Sequence, residues 1–186
     1  MKTYLGIGDS LEVFEYAGRG ARMAEVPMES IDQIVDDVWE KVAQSLKQEE
    51  AYVIYGHSMG ALIAFLICDK IRNSHLKQPE KLVVSGKKSL HLEREEKIAD
   101  YPTYKFWEKL IDMGGVPNEM HHEFSLKEFF EPIIRADLKA IEDFRYQKKA
   151  PIEIPIEVFY GNEEVDEEDD FSGWSSESIG EVTFYK

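Results

Sequence analysis

The sequence predicts an α/β domain built on a mostly parallel β-sheet with crossover helices. Two observations support this: short apolar, β-branched segments alternate with longer segments whose apolar residues recur at helical spacing, and the alternation repeats along the chain. With 186 residues the chain has the length of one domain, so we assign residues 1–186 to a single unit. A hydrophobic content of 43% argues against disorder.

The composition also excludes several classes of function. The chain carries 22 Lys and Arg residues against 37 Asp and Glu residues, a formal net charge of −15 that repels the phosphate backbone of nucleic acids. The longest apolar run, residues 59–68, is about half of the ~20 residues that a membrane span requires. Cys68 has no second cysteine to pair with, and the N-terminus lacks the apolar core of a signal peptide. We therefore expect a cytoplasmic protein.

Local patterns predict the individual elements. The expected strands are 11–16, 51–55, 81–85, 152–160 and 181–185. In segment 152–160 the pairing should begin after Pro155, which has no N–H to donate, and the wholly apolar segment 51–55 predicts a strand buried on both faces. Ser30 and Gln33 have the spacing of a capping box at the start of a helix, and a second helix is expected from position 59 to about Ile71.

A long helical insertion is expected at about residues 98–149, between the strands at 81–85 and 152–160. The predicted helices of this insertion are 104–113, 125–130 and 132–144. Their apolar residues are more numerous than a solvated connection needs, which fits a helical layer that completes the core. Because the insertion follows the end of a strand, it also fits a lid over a site at that edge of the sheet, and both interpretations can hold.

The main chemical signal is the motif Gly56-His57-Ser58-Met59-Gly60, which lies between an apolar strand and an apolar helix. A serine on such a sharp strand-to-helix turn projects its hydroxyl at the end of the sheet, and the glycines at 56 and 60 allow the backbone to approach closely. We predict Ser58 as a nucleophile and the Met59 N–H, at the start of the helix, as an oxyanion donor. The alternative is that Ser58 only caps the helix.

A serine nucleophile needs a basic histidine that is oriented by a carboxylate, and the expected chain order is serine, acid, histidine. Glu164 is the favoured acid and Asp166 the reserve, since both follow the strand that comes after the insertion. No histidine follows either acid, so the predicted base is absent from this sequence. His91 is the one conceivable substitute by position. The histidines expected to be unsuitable are His57, inside the turn, His75, at the wrong edge of the sheet, and His121 and His122, in the insertion.

Several motifs together resemble the type II thioesterases, stand-alone α/β-hydrolases that accompany nonribosomal peptide and polyketide synthases of the gramicidin and surfactin type. The matching segments are residues 16–22 with Glu25 and Pro27 (P-G-R-G-x-R-x-x-E-x-P), 56–60 (G-H-S-M-G), 85–88 with His91 (S-G-R-R…H), 100–106 with 114–119 (L-P…F…L-G-G-x-P-x-E), and 130–137 with Tyr146 (F-x-P-x-x-R-A-D…Y). The family keeps a histidine at the position of His91 without using it as the base, which weakens His91 as a substitute.

The resemblance implies an α/β-hydrolase fold and the hydrolysis of acyl groups from the phosphopantetheine thiol of peptidyl or acyl carrier proteins, with no metal and no organic cofactor. The alternatives are a non-catalytic remnant that binds carrier proteins, and a medium-chain fatty-acyl thioesterase. Two departures from the family pattern, its opening strand with the F-P-[YF]-A-G-G loop and its closing G-G-H-F motif, lead us to expect a chain truncated at both ends. The opening strand of the family lies between those at 11–16 and 51–55. We therefore expect one of three outcomes: the sheet closes up by re-pairing, another chain supplies the missing strand, or the sequence is a piece of a longer one.

Overall fold

A computed structural model describes residues 10–46, 51–92, 96–117, 120, 123–161 and 171–186. Its sheet has four parallel strands in the order β1-β2-β3-β4, which confirms the predicted α/β class. The strands are β1 (Val53–His57), β2 (Lys81–Ser85), β3 (Ile156–Phe159) and β4 (Val182–Tyr185). As expected, the pairing of β3 begins after Pro155, and only an isolated bridge joins Ile152 to Ser178 ahead of it.

Four helices accompany the sheet: α1 (Ile31–Ser45), α2 (Met59–Arg72), α3 (Thr103–Asp112) and α4 (Phe124–Asp143). Helix α1 buries one apolar face against α2, and α2 lies against β1 and β2. The helix start at Ile31 is as predicted, but the capping box is not, because the Ser30 side chain makes no capping hydrogen bond. Within the described residues, no helix is both long and apolar enough to cross a bilayer.

The expectation that β1 is buried on both faces is wrong. One face of the sheet packs on α2 and holds the fully buried side chains Leu82, Val84, Ile156 and Val158. On the other face Val53, Tyr55, Phe159 and Tyr185 are between 39% and 51% exposed. Strand β1 also begins and ends two residues later than predicted, because its ladder with β2 continues through Gly56 and His57. A parallel strand is defined by its partner, and the apolar composition of residues 51–55 does not contain that information.

The predicted strand at 11–16 is absent from the described structure. Residues 10–16 have no regular secondary structure, although Phe14 and Tyr16 pack against the main core. Apolar β-branched and aromatic residues favour an extended segment, but a strand also requires a neighbour for its backbone groups. Within the described residues no strand pairs with the free edge of β1, so segment 10–16 has no ladder to join.

The insertion between β2 and β3 contains α3 and α4, and it has an apolar cluster of its own. This cluster consists of Ile98, Ala99, Phe106, Trp107, Leu110, Val116 and Leu138. Helix α4 joins it to the main core, to which Ala140 belongs. The prediction of two helices at 125–130 and 132–144 is wrong, because α4 continues through Pro132. The ion pair from Arg135 to Glu131, at 2.8 Å, supports the turn of the helix that contains this proline.

Candidate active site

Ser58 lies on a strained turn between the end of β1 and the start of α2. Its backbone angles are φ 52° and ψ −117°, and it is the one non-glycine residue with positive φ in the described part of the chain. A side chain in this region costs of order 1–3 kcal/mol, so the surrounding structure has to hold it there. The turn is fixed by the Ser58 N–H, which donates to the Ser85 carbonyl at 2.8 Å. This is the geometry expected of a nucleophile on a strand-to-helix turn.

The two glycines of the motif are not equivalent. A Cβ on Gly56 would lie 2.1 Å from the Gly60 carbonyl oxygen and 2.7 Å from the Ala61 nitrogen, so only glycine fits between β1 and α2. Among the described residues, a Cβ on Gly60 would meet only the Tyr16 hydroxyl, at an ordinary contact distance of 3.6 Å. The predicted close approach is therefore found at Gly56, whereas the same expectation for Gly60 is wrong.

The polar groups of the turn are available for chemistry. Ser58 is half-buried and makes no side-chain capping hydrogen bond, which argues against a purely structural N-cap. The Met59 N–H is the first of α2 and has no acceptor among the described residues. It also lies at the positive end of the helix dipole, where it favours negative charge. Hydroxyl and N–H together can form the nucleophile and one donor of an oxyanion site.

His57 is directed away from Ser58. Its Nδ1 lies 2.9 Å from the Ser85 Oγ, which in turn is 2.9 Å from the Tyr55 hydroxyl. The ring fills the space above Gly86, where a Cβ would come within 2.6 Å of the His57 Cε1, and Gly86 itself has φ 56°. The imidazole next to the nucleophile is held in a separate hydrogen-bonded group on the open face of the sheet.

The described structure brings no other predicted triad member to Ser58. His91 follows β2, where its Cε1 would lie 2.6 Å from a Cβ on Gly173. His75 follows the C-terminal end of α2, opposite the turn. Outside the described residues lie Glu164, Asp166, His121 and His122, so their predicted roles stay predictions. No group of three potential metal ligands occurs in the part of the chain that is described.

One polar cluster beside the turn was not predicted. Arg19 forms a bidentate ion pair with Asp137 of α4, at 2.9 and 2.7 Å, and its guanidinium lies 5.2 Å from the centroid of the Tyr16 ring. Burial raises the pKa of Tyr16 to about 12, so its hydroxyl stays protonated at neutral pH. Arg19 and Asp137 belong to two separate motifs, and the presence of opposite charges in both was the only signal of their pairing.

Cys68 does not compete with Ser58 as a nucleophile. Its side chain is buried in the main core, and this burial raises the pKa of the thiol well above its usual range. The reactive form of cysteine is the thiolate, which is scarce under these conditions. Within the described site, the hydroxyl on the strained turn is the group placed for nucleophilic attack.

Comparison with known proteins agrees with this geometry. The family model described as the thioesterase domain matches residues 9–186. The chain is 28% identical over 181 residues to the medium-chain S-acyl fatty acid synthase thioesterase of Rattus norvegicus, covering 94% of this chain and 68% of the relative. It is 32% identical over 147 residues to the gramicidin S biosynthesis protein GrsT of Aneurinibacillus migulanus, covering 77% of this chain and 56% of GrsT.

A solved structure agrees in fold as well. The crystal structure of ClbQ from the colibactin NRPS/PKS pathway superposes with a TM-score of 0.89 at 25% identity, covering 99% of this chain and 78% of ClbQ. The chain thus matches these proteins over most of its own length while spanning between 56% and 78% of theirs.

Proposed function

Because the chain belongs to the thioesterase-domain family, we propose that it hydrolyses acyl thioesters with Ser58 as the nucleophile. The observation that carries this proposal is the strained turn at Ser58, whose hydroxyl is not used as a helix cap. Strain of this kind is retained where the surrounding fold requires it, and here it presents a hydroxyl beside a free helix N-terminus.

The reaction follows from this arrangement. The Ser58 oxygen attacks the thioester carbonyl while a base takes its proton, and the Met59 N–H stabilises the oxyanion that forms. Collapse of this intermediate breaks the carbon–sulfur bond, leaves the acyl group on Ser58, and releases the thiol after protonation. Water then attacks the acyl-enzyme and releases the carboxylic acid. Glu164, with Asp166 as the reserve, is our candidate for the acid that orients the base.

The substrates we propose are acyl groups on the phosphopantetheine arm of carrier proteins, so that the enzyme clears misprimed carriers during peptide or polyketide synthesis. The names of two relatives, the gramicidin S biosynthesis protein and ClbQ of an NRPS/PKS pathway, support this class. Carrier proteins are commonly acidic, and a net charge of −15 opposes long-range attraction to them. Docking should therefore depend on local contacts, for which Lys87, Lys88 and Arg94 are candidates, although Arg94 lies outside the described residues. We also propose that the enzyme and its carrier proteins share the cytoplasm.

The second candidate is release of medium-chain fatty acids, favoured by the match to the rat fatty acid synthase thioesterase over 94% of this chain. A third, from a different class, is a carrier-binding protein without catalysis, favoured by the absence, within the described residues, of a hydrogen bond between Ser58 and a histidine.

A second chain that completes the sheet is also part of the proposal. The Ser58 N–H donates to the Ser85 carbonyl at the end of β2. In a parallel ladder, successive residues of a strand direct their N–H and C=O groups to opposite neighbours. The odd-numbered residues of β1 therefore direct these groups to the edge that no described strand pairs with. Val53 and Tyr55 at this edge are 44% and 51% exposed, which leaves apolar surface for a neighbouring strand. An additional strand there would satisfy backbone groups that water otherwise solvates.

The test is hydrolysis of acyl-carrier and acyl-CoA substrates of graded chain length, with and without added imidazole. Imidazole in the buffer can replace a histidine base, so we expect it to increase turnover in the wild type and not in Ser58→Ala. The control Ser74→Ala removes a hydroxyl from the opposite end of α2 and should behave as the wild type. An imidazole response that is equal in Ser58→Ala would contradict the proposal.

The same assay separates the candidates. Preference for short acyl groups on carriers supports the editing function, and preference for medium-chain acyl groups on either thiol supports the second candidate. Carrier binding without hydrolysis, with or without imidazole, supports the non-catalytic protein.

A further inference from the structure

A bidentate ion pair joins the insertion to the segment beside the candidate active site. Arg19 Nη1 and Nη2 donate to the two carboxylate oxygens of Asp137, whose position in the chain is 118 residues away. The side chains are only 30% and 24% exposed, so solvent screens the pair less than it screens a surface contact. Because two parallel hydrogen bonds fix orientation as well as distance, the pair fixes the direction of α4.

The turn that carries Arg19 is held in place by contacts that do not involve α4. Gly18 and Gly20 have φ angles of 83° and 53°, a conformation that favours glycine. The Gly18 N–H donates to the Arg22 carbonyl at 3.0 Å, and a Cβ on Gly18 would lie 2.6 Å from the Pro27 ring. The Arg19 side chain therefore extends from a turn whose backbone is held by a hydrogen bond and by packing against Pro27.

Tyr16 connects the ion pair to the strained turn. Its ring lies against the Arg19 guanidinium, with 5.2 Å between the guanidinium carbon and the ring centroid. Its hydroxyl is 3.6 Å from the position that a Cβ on Gly60 would take, two residues after Ser58. A continuous set of contacts thus runs from α4, through Arg19 and Tyr16, to the first turn of α2.

Stability alone is a weak explanation for this pair. The Arg19 Nε is buried and has no hydrogen-bond partner in the described structure, which costs free energy. Partly buried ion pairs commonly contribute little net stability because desolvation offsets the attraction, whereas their fixed geometry can specify one arrangement. The value of the pair therefore lies in the position that it gives to α4.

We propose that Arg19 and Asp137 are positioning residues that hold α4 at a fixed distance and direction from Ser58, and so limit the length of acyl group that reaches the hydroxyl. The proposal rests on the proposed function in one respect, namely that the group bound there is acyl. Neither residue contacts the reacting atoms, so their effect acts through the placement of the insertion.

The chain offers a matched control in the ion pair between Lys139 and Glu29. It also joins α4 to the N-terminal part of the chain, at 2.6 Å, but the side chains are 41% and 57% exposed and share a single contact. Exposed pairs of this kind contribute little to stability and restrict orientation little. Lys139→Met therefore removes an ion pair from the same helix but leaves the two parallel hydrogen bonds between Arg19 and Asp137 in place.

The first measurement is the distance between spin labels on Glu40→Cys in α1 and Ser125→Cys in α4. Both positions are exposed, whereas Cys68 is buried and should not be labelled. We expect a narrow distance distribution in the otherwise unchanged protein and in Lys139→Met, and a broad or displaced one in Asp137→Asn. A distribution in Asp137→Asn as narrow as that of Lys139→Met would overturn the proposal. If Asp137→Asn does not fold, Arg19→Lys, which keeps the charge but not the fork, serves as the second variant.

The second measurement is the ratio of Ser58 acylation rates for decanoyl- and acetyl-pantetheine, followed by mass spectrometry. A hydrophobic site discriminates by roughly 10–200-fold per methylene, so a displaced α4 should change this ratio at least about tenfold in Asp137→Asn and leave it unchanged in Lys139→Met. An unchanged ratio in Asp137→Asn contradicts the proposal. The spin-label measurement needs no substrate, so an absence of acylation in every variant would count against the proposed function instead.

Discussion

Replacing Gly56 by alanine tests the geometry that presents Ser58. The added Cβ would lie 2.1 Å from the Gly60 carbonyl oxygen and 2.4 Å from its carbonyl carbon, both in the backbone of α2. To restore a normal contact, the start of α2 has to move by about 1 Å, because carbon and oxygen pack no closer than about 3.4 Å. Adding atoms to a well-packed site typically lowers the free energy of unfolding by about 1–3 kcal/mol. Because the atoms that the new Cβ would meet belong to the backbone and cannot move aside easily, we expect about 3 kcal/mol for Gly56→Ala.

The assay is thermal and urea unfolding followed by circular dichroism. At about 2–4 °C per kcal/mol for a chain of this size, Gly56→Ala should lower the melting temperature by about 6–12 °C. Gly60→Ala is the matched control, since its Cβ meets the Tyr16 hydroxyl at an ordinary 3.6 Å and no other atom in the described part of the chain. Alanine also favours a helix over glycine by about 0.5–1 kcal/mol. Equal melting temperatures for the two variants would refute the tight strand-to-helix contact.

Three further changes test other parts of the structure. Ser58→Gly removes the positive-φ strain, so its free energy of unfolding in urea should be about 1 kcal/mol higher than that of Ser58→Ala. Neither variant can form an acyl-enzyme. Trp174→Ala removes a fully buried ring that packs against Phe65 and should cost about 3–5 kcal/mol in urea unfolding, more than Trp39→Ala at a half-buried ring. Finally, burial raises the pKa of Tyr16 from 10.0 to about 12, so from pH 10 upward the unfolded chain loses a proton that the folded one keeps. The free energy of unfolding should therefore fall by about 1 kcal/mol between pH 10 and 11 in the wild type relative to Tyr16→Phe, as measured by urea midpoints.

The parts of the fold that could be predicted from sequence are those set by local pattern. The periodic apolar residues of α1 predict its start at Ile31, and the absent N–H of Pro155 predicts where β3 begins to pair. The motif at Ser58 is also local, because a glycine, a strained serine and a helix follow one another within a few residues. Nothing from a distant part of the chain is needed to recognise it.

The errors come from contacts between distant segments. Residues 11–16 have the apolar and aromatic residues of a strand, but whether they form one depends on a neighbour that their own sequence cannot specify. The exposure of Val53 and Tyr55 likewise depends on what covers the second face of the sheet. The pairing of Arg19 with Asp137 across 118 positions shows the same limit, since either charge alone would predict a solvated surface residue.

The central claim is that Ser58 accepts an acyl group from a thioester sulfur. The most direct test is to incubate the protein with acetyl-pantetheine and to map the acylated peptide by mass spectrometry. We predict an acetyl mass on the peptide that contains Ser58, and its loss in Ser58→Ala but not in Ser74→Ala. Acetylation at another residue, or an adduct that persists in Ser58→Ala, would contradict the account.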